Sequence, residues 1–322
     1  MKVIRVHEYG GPAAMRLEDL PTPAPRPGEV LVRVEASGVN YLDTYQRSGQ
    51  YKVPLPYALG QEGAGVIEAV GTGVAGLAAG SRVAWTNVPG SYATHTLVPA
   101  EKAVPVPGGV EARMAGAVML QGMTAHYLAH STYRLKEGDS CLVHAGAGGV
   151  GLLLTQMARA AGARVITTVS TEDKARLSRE AGADEVVLYT RQDFAEAVRA
   201  LTDGKGLAVV YDSVGKDTFD KSLACLAPRG LLVLYGQSSG AVTPIDPQVL
   251  SARGSLFLTR PTLGHYLLTR EELLSRAADC FSWMASGRLK VRIGAEFPLA
   301  EAARAHEALE GRRTTGKVLL VP

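Results

Sequence analysis

Two rhythms of apolar and polar residues divide this chain. Over the first ~120 residues, short alternating runs at Val30 to Val34, Gly65 to Val70, Arg82 to Trp85 and Ser91 to Val98 read as strands. Pro21, Pro23, Pro25 and Pro27 precede the first of these runs, and Gly71, Gly73, Gly76 and Gly80 punctuate the next pair. Such punctuation predicts a barrel-like all-β domain. From Met123 onward, strands alternate with helices. Strands are expected at Cys141 to Ala145, Arg164 to Val169, Glu185 to Leu188, Ala208 to Asp212, Gly230 to Tyr235 and Ser255 to Thr259. The helix from Gly149 places Val150, Leu153, Leu154, Met157 and Ala161 on one face. A second helix starts after Thr171 as N-cap, with Glu172 and Asp173 in its first turn and Gly182 past its end. This alternation implies a parallel sheet with right-handed crossovers. A last helix, Glu271 to Ser286, stripes Leu273, Ala277, Phe281 and Met284, and a strand follows at Lys317 to Val321. The tail is expected to rejoin the first domain and make it discontinuous.

One stretch carries chemistry. Gly146, Gly148 and Gly151 satisfy G-x-G-x-x-G between a strand and a helix, and another strand ends about 20 residues later. That arrangement seats a dinucleotide pyrophosphate on N–H groups at a helix N-terminus, where the dipole favours negative charge. Cofactor choice falls at the end of the second strand, Thr168-Val169-Ser170-Thr171-Glu172-Asp173-Lys174. A hydroxyl stands where an acid would bind the 2′-OH of NAD, and Lys174 lies one turn on, which favours NADPH over NADH. The neighbouring Glu172 and Asp173 leave open the alternative that Lys174 is a solvated helix residue.

Composition narrows the classes. The 322 residues are enough for two domains with cores of their own, and 46% apolar with 20% charged residues is ordinary for a globular protein. Thirty-four basic against 31 acidic residues leave a net charge of +3, so nucleic-acid binding is disfavoured. Three scattered cysteines, Cys141, Cys225 and Cys280, form no C-x-x-C pair and fit a reducing cytosol, and the N-terminus lacks a signal-peptide pattern. A cytoplasmic protein with no membrane association is expected.

The run from Gly138 to Arg159, with Leu142, Gly146-Ala147, Gly148-Gly149, Gly151 and Gln156, resembles the signature of zeta-crystallin-like NADPH:quinone oxidoreductases. These form a zinc-independent branch of the medium-chain dehydrogenase/reductase superfamily. Gly38 to Tyr45, Arg47-Ser48-Gly49, Gly122 to Ala125 and Gly316-Lys317-Val318 extend the resemblance over essentially the whole chain. It implies an α/β fold: a doubly wound Rossmann domain at 123–264, and a discontinuous GroES-like β-rich catalytic domain at 1–122 and 265–322. The active site is expected in the crevice between them. By the same resemblance Asn40, Asp43 and Tyr45 line the catalytic cleft, and Asn40 and Thr124 also meet the cofactor. Gly148, Gly149 and Val150 hold the pyrophosphate, with Gly146 and Gly151 completing the turn. Ser170, Lys174 and Tyr189 surround the 2′-phosphate. Ser213, Val214, Gly236, Gln237, Ser238, Phe257, Leu258 and Arg260 approach the ribose and nicotinamide, and Lys317 comes from the tail. Asn40, Tyr45 or Arg260 could polarise the acceptor oxygen, while Tyr45 could equally be a packing aromatic and Arg260 a surface charge.

Zinc branches place a cysteine near the present Asn40 and a His-Glu pair where this chain has Gly60-Gln61-Glu62-Gly63. Neither thiolate nor imidazole is available there, so no metal site is expected. His126 and His130 are four apart but have no evident third ligand, and a packing or surface role is preferred. Lacking the metal's Lewis acid, the chain suits an acceptor that is already electrophilic. The expected function is zinc-independent reduction of quinones by NADPH. The alternative on the same fold is reduction of the C=C bond of α,β-unsaturated aldehydes or ketones. A different class, an NADPH-binding structural or RNA-binding protein without turnover, also stays open. A homodimer is expected, with Gly254 to Thr259 as the candidate edge.

Overall fold

The computed structural model describes residues 1–322. They divide into two compact units, Met1–Met123 with Leu267–Pro322, and Thr124–Tyr266.

The first unit contains β1 (Lys2–Val6), β2 (Met15–Asp19), β3 (Glu29–Val39), α1 (Tyr41–Ser48), β4 (Tyr57–Ala58), β5 (Glu62–Val70), β6 (Arg82–Thr86), β7 (His95–Pro99) and β8 (Val104–Pro105). Helix α2 (Ala112–Tyr127) carries the chain out of it. A three-stranded sheet runs β2-β1-β4, and the long β3 pairs antiparallel with both β5 and β7. Val30, Val32 and Val34 of β3 alternate into a core with Ile67, Val83, Trp85 and Val98, as a strand with one buried face requires. The strand expected at Ser91 to Val98 begins only at His95. Tyr92 instead exchanges backbone bonds with Ile4 and Leu59, which takes the segment before His95 to a different partner.

The second unit contains β9 (Ser140–Val143), α3 (Gly149–Ala160), β10 (Arg164–Val169), α4 (Glu172–Glu180), β11 (Glu185–Leu188), α5 (Phe194–Leu201), β12 (Leu207–Asp212), α6 (Phe219–Ala224), β13 (Leu226–Leu234), α7 (Gln248–Ala252) and β14 (Phe257–Thr259). All six strands are parallel in the order β11-β10-β9-β12-β13-β14. That is the doubly wound order 3-2-1-4-5-6, whose direction reverses between β9 and β12. One core layer joins Leu142, Ile166, Val187, Val210 and Leu232 of the strands to Phe194 and Val198 of α5 and to Phe219 and Leu223 of α6. Another gathers Ala147, Leu152, Val169, Ala175, Leu177 and Leu188. Leu153, Leu154 and Met157 of α3 are buried as their spacing predicts, each contributing roughly 1.5–3 kcal/mol.

The chain then returns to the first unit through α8 (Arg270–Ala285), β15 (Ile293–Pro298), α9 (Ala302–Glu310) and β16 (Lys317–Val321). Thr269 caps α8 by accepting from Glu272 N–H, and β16 pairs antiparallel with β3 through Val318 and Val39. The sheet it joins runs β15-β16-β3-β5-β6-β8.

Candidate functional site

In the second unit the glycine turn links β9 to α3. Ala145 takes a left-handed φ of 53°, which folds the chain so that Gly148 N–H reaches its carbonyl at 2.8 Å. Gly146 N–H donates to Thr168 O on β10 at 3.0 Å and fixes the turn to the sheet. Two of the three glycines are demanded by packing. A Cβ on Gly146 would stand 2.6 Å from Thr167 Cβ, and one on Gly151 would press into the Ala145 carbonyl and lie 3.0 Å from Gly146 Cα. Gly148 is the N-cap of α3 and supplies no side-chain cap; Leu152 N–H is the first to bond back, to Gly148 O at 2.9 Å. The N–H groups of Gly149, Val150 and Gly151 are therefore open to an anionic ligand at the positive end of a 12-residue helix.

Ser170 and Tyr189 follow the paired residues Val169 and Leu188 and so stand side by side at the carboxyl ends of β10 and β11. Tyr189 is 39% exposed, and Thr190 Oγ1 donates to Ser170 O at 2.9 Å. Thr171 caps α4 by accepting from Lys174 N–H at 3.4 Å, which sets Lys174 in the first turn above that edge. The neighbouring Glu172 is paired with Arg191 at 2.6 Å. Ser170 and Tyr189 thus lie at the carboxyl edge of the sheet, with Lys174 in the first turn of the helix that follows β10.

Where the strand order reverses, Asp212 ends β12 fully buried. Its carboxylate accepts from Val214 N–H (2.8 Å), Gly215 N–H (3.0 Å), Thr218 Oγ1 and Ser222 Oγ (2.8 Å). Ser222 Oγ also meets His144 Nε2 at 3.0 Å, and His144 Nδ1 meets Thr168 Oγ1 at 2.8 Å. Burial holds the His144 pKa below the usual imidazole range, with the Asp212 charge opposing. Ser222, His144 and Asp212 are 0–1% exposed, so this chain is a tie between strand ends and not a nucleophile system. It fixes the Ser213-Val214 loop, to which Ser238 and Ser239 N–H bond at 3.1 and 2.9 Å. Gly236 must be small there, because its Cβ would lie 2.9 Å from Ser213 Cα. Gln237 sits partly exposed in the same loop pair, and Thr124 is buried at the start of the unit. On the edge strand Phe257 opens β14 and is 61% exposed, Leu258 pairs with Leu232, and Arg260 follows the carboxyl end.

The first unit gathers a closed polar cluster. Asn40, the N-cap of α1, directs Oδ1 to Lys317 Nζ (3.0 Å) and Gln121 Nε2 (3.1 Å), and Nδ2 to Glu62 Oε1 (2.7 Å). Lys317 Nζ also donates to Glu62 Oε1, and Glu62 Oε2 accepts from Leu120 N–H at 2.6 Å. Glu62 and Lys317 are 0% and 1% exposed. The Gln121 oxygen remains a buried acceptor with no partner. Asp43 Oδ2 accepts from Asn40 N–H (2.8 Å) and Tyr92 OH (3.0 Å). Tyr92 OH meets His306 Nε2 (3.1 Å), and His306 Nδ1 meets Arg47 Nη1 (3.0 Å). An arginine only donates, so His306 accepts at Nδ1 and carries its proton on Nε2. Every donor in this chain therefore points toward Asp43. Burial, only partly offset by the hydrogen bonds from Asn40 and Tyr92 and by the Lys317 charge, raises the Asp43 pKa to about 7. Burial, with the Arg47 charge, lowers that of His306 to about 3. Tyr45 is buried with its ring edge-on to Tyr51 at 5.3 Å.

Sequence reading missed Glu62, Gln121, Tyr92 and His306 as members of this cluster, and His144 and Asp212 in the other unit. One available signal was an unexplained acid inside the apolar β5 run. No group of three or more His, Cys, Asp or Glu side chains is placed to hold a metal ion. Zinc also does not fit the donors present: Gln61 Nε2 is bonded to Gln46 and Tyr57, and Glu62 is held by Lys317.

Residues 26–108 match the alcohol dehydrogenase GroES-like domain and residues 149–281 the zinc-binding dehydrogenase domain. A quinone oxidoreductase of Pseudomonas aeruginosa is 48% identical over 323 residues, covering 100% of this chain and 99% of that protein. This chain belongs to the quinone oxidoreductase family. Within the medium-chain dehydrogenase/reductase superfamily, the solved Escherichia coli quinone oxidoreductase in complex with NADPH superposes with a TM-score of 0.98 at 43% identity, covering 100% of both chains. A 2-haloacrylate reductase from a Burkholderia species is 45% identical, with 98% of each chain covered.

Proposed function

We propose that this protein is an NADPH-dependent, zinc-independent quinone reductase. The observation that carries the reading is the uncapped N-terminus of α3, together with Ser170 and Tyr189 at the ends of β10 and β11 and Lys174 in the first turn of α4. It offers one anion seat for a pyrophosphate and a second for a 2′-phosphate. The Escherichia coli relative, solved with NADPH, supports the cofactor. When bound, NADPH supplies the hydride that reduces the acceptor. The chain's own residues then have binding and orienting tasks. Gly149, Val150 and Gly151 N–H groups hold the pyrophosphate, with Gly146 and Gly148 shaping the turn. Thr124, Ser213, Val214, Gly236, Gln237, Ser238, Leu258 and Arg260 would set the ribose and nicotinamide. Phe257 enters this group only by resemblance, since it opens its strand. Asn40, Asp43 and Tyr45 would shape the acceptor side. With its amide spent inside the unit, Asn40 acts there by position, which leaves Tyr45 or Arg260 to polarise the acceptor oxygen. A quinone accepts hydride readily because its product is aromatic, so alignment is the main demand on the protein.

The deciding measurement is NADPH oxidation over a panel of quinones and short enones with a chelator present. Quinone turnover that survives chelation is expected. Turnover of enones alone would establish the second reading, C=C reduction, which the 2-haloacrylate reductase relative favours. NADPH binding without any turnover would leave a structural role. We further propose a cytoplasmic homodimer. Its support is three buried free cysteines, and β14 as an edge strand presenting Phe257. No helix is long and apolar enough to cross a membrane. Light scattering giving a monomer mass would remove the dimer.

A further inference from the structure

We propose that Lys317 is a positioning residue and not a contact to the cofactor: its ion pair with Glu62 sets the orientation of the Asn40 amide and, through it, the first turn of α1. The inference rests on the quinone-reductase reading for what that turn does. The placement of Lys317 itself rests on geometry. Its ammonium is directed inward, onto Glu62 Oε1 and Asn40 Oδ1, in a side chain 1% exposed. An amide can be turned end for end, and here charge decides the matter. Rotating Asn40 would set its NH2 against the ammonium and its oxygen against the carboxylate. The orientation found satisfies both ends at once, with Oδ1 also taking the Gln121 N–H. Asn40's own backbone N–H goes to Asp43, so the amide and the start of α1 are held as one piece.

Gly38 is an independent sign that the pair is built in. A Cβ at that position would stand 2.6 Å from Glu62 Cδ and 2.6 Å from Lys317 Cε. The two side chains meet over a backbone position that must carry no side chain. Four segments converge on the pair, from the N-cap of α1, β5, α2 and β16. It thereby ties the C-terminal strand to the N-cap of α1.

The test compares Lys317→Met/Glu62→Gln, which removes both charges together, with Lys317→Arg and the unmodified enzyme. NADPH affinity is measured by titration without acceptor, and kcat at saturating NADPH and quinone. In the double variant, NADPH Kd is expected to stay within about threefold while kcat falls by about 100-fold, the scale of a misplaced reacting group. Lys317→Arg is expected to recover part of the loss by restoring the charge. A Kd weakened tenfold or more with kcat retained would make Lys317 a cofactor contact, and values unchanged in both would make the pair inert filling; either result overturns the proposal. Folding of the variants is not required for the second measurement. In the unmodified protein labelled with ¹⁵N-lysine, the buried Lys317 ammonium is expected to give a slowly exchanging signal that NADPH leaves in place. A large shift of that signal on adding NADPH would overturn the proposal. If the unmodified enzyme reduces no quinone, the functional reading fails, and the lysine signal still decides where Lys317 points.

Discussion

The two units solve the problem of polar groups in opposite ways. In the turn before α3, backbone N–H groups are left over with no side chain to cap them, and that surplus is what the proposed function assigns to the cofactor's pyrophosphate. Around Asn40, side chains from the N-cap of α1, β5, α2 and β16 consume one another's hydrogen-bonding capacity, leaving the Gln121 and Asp43 oxygens, Oε1 and Oδ1, as its unmatched acceptors. A ligand site made of backbone is insensitive to most side chains and vulnerable to any added bulk. One made of buried charge tolerates little loss, because each partner removed leaves another uncompensated.

The sharpest way to break that contrast is to remove a single charge from the closed cluster. Glu62→Ala leaves the Lys317 ammonium buried and unpaired and is expected to cost about 3–5 kcal/mol of stability, measured by urea unfolding. A loss below about 1 kcal/mol would mean that the pair is solvated in solution. In the open turn, the comparable change is Gly151→Ala. The fold is expected to survive, but the displaced turn loses two charged hydrogen bonds to phosphate, weakening NADPH by more than about 100-fold by titration. Undiminished affinity would remove the turn from the site. Lys174→Ala is expected to weaken NADPH by roughly 10- to 150-fold, equivalent to about 1.5–3 kcal/mol, while sparing NADH. Equal losses for both would return Lys174 to a solvated helix face.

A last effect is one of pH. Between 3.8 and about 7, Asp43 keeps a proton in the folded state that it releases on unfolding, so its contribution to stability is present at low pH and falls as pH rises. Between about 3 and 6.5, His306 is neutral when folded and protonated when unfolded, so its contribution is lost as pH falls. From 3.8 to 6.5 the two oppose each other. Asp43→Asn is therefore expected to uncover an acid destabilisation steeper than that of the unmodified protein by about 1.4 kcal/mol per pH unit. His306→Gln is expected to tilt the curve the other way. Unfolding series over this range that run parallel for all three proteins would show that neither group is shifted.

Much of the second unit was legible because its signals are local. Arg164–Val169 and Glu185–Leu188 have the bounds their alternation predicts, and Thr171 caps α4 as its place before two acids suggests. Helix α2 escaped notice for a physical reason. Ala115, Ala117, Val118, Met119 and Met123 bury more than one of its faces, so no amphipathic period appears. Helix α1 is too short for periodicity, and its Tyr45 and Arg47 are buried by later parts of the chain. The strand expected at Gly230 begins at Leu226, because pairing with β12 draws in four more residues.

By itself, the sequence determined the turn, the alternation of strands and helices, and the absence of thiolate and imidazole where zinc relatives have them. Each of these is written in residues a few positions apart, where chain geometry alone sets what can meet. Only the tertiary structure decided that Lys317 faces Glu62 and Asn40, that His306 supports Asp43 through Tyr92, and that Gly38 gives way to an ion pair. Those partners lie up to 277 residues apart. Their charges can be paired only after the sheet has removed them from water, and no local pattern encodes that meeting.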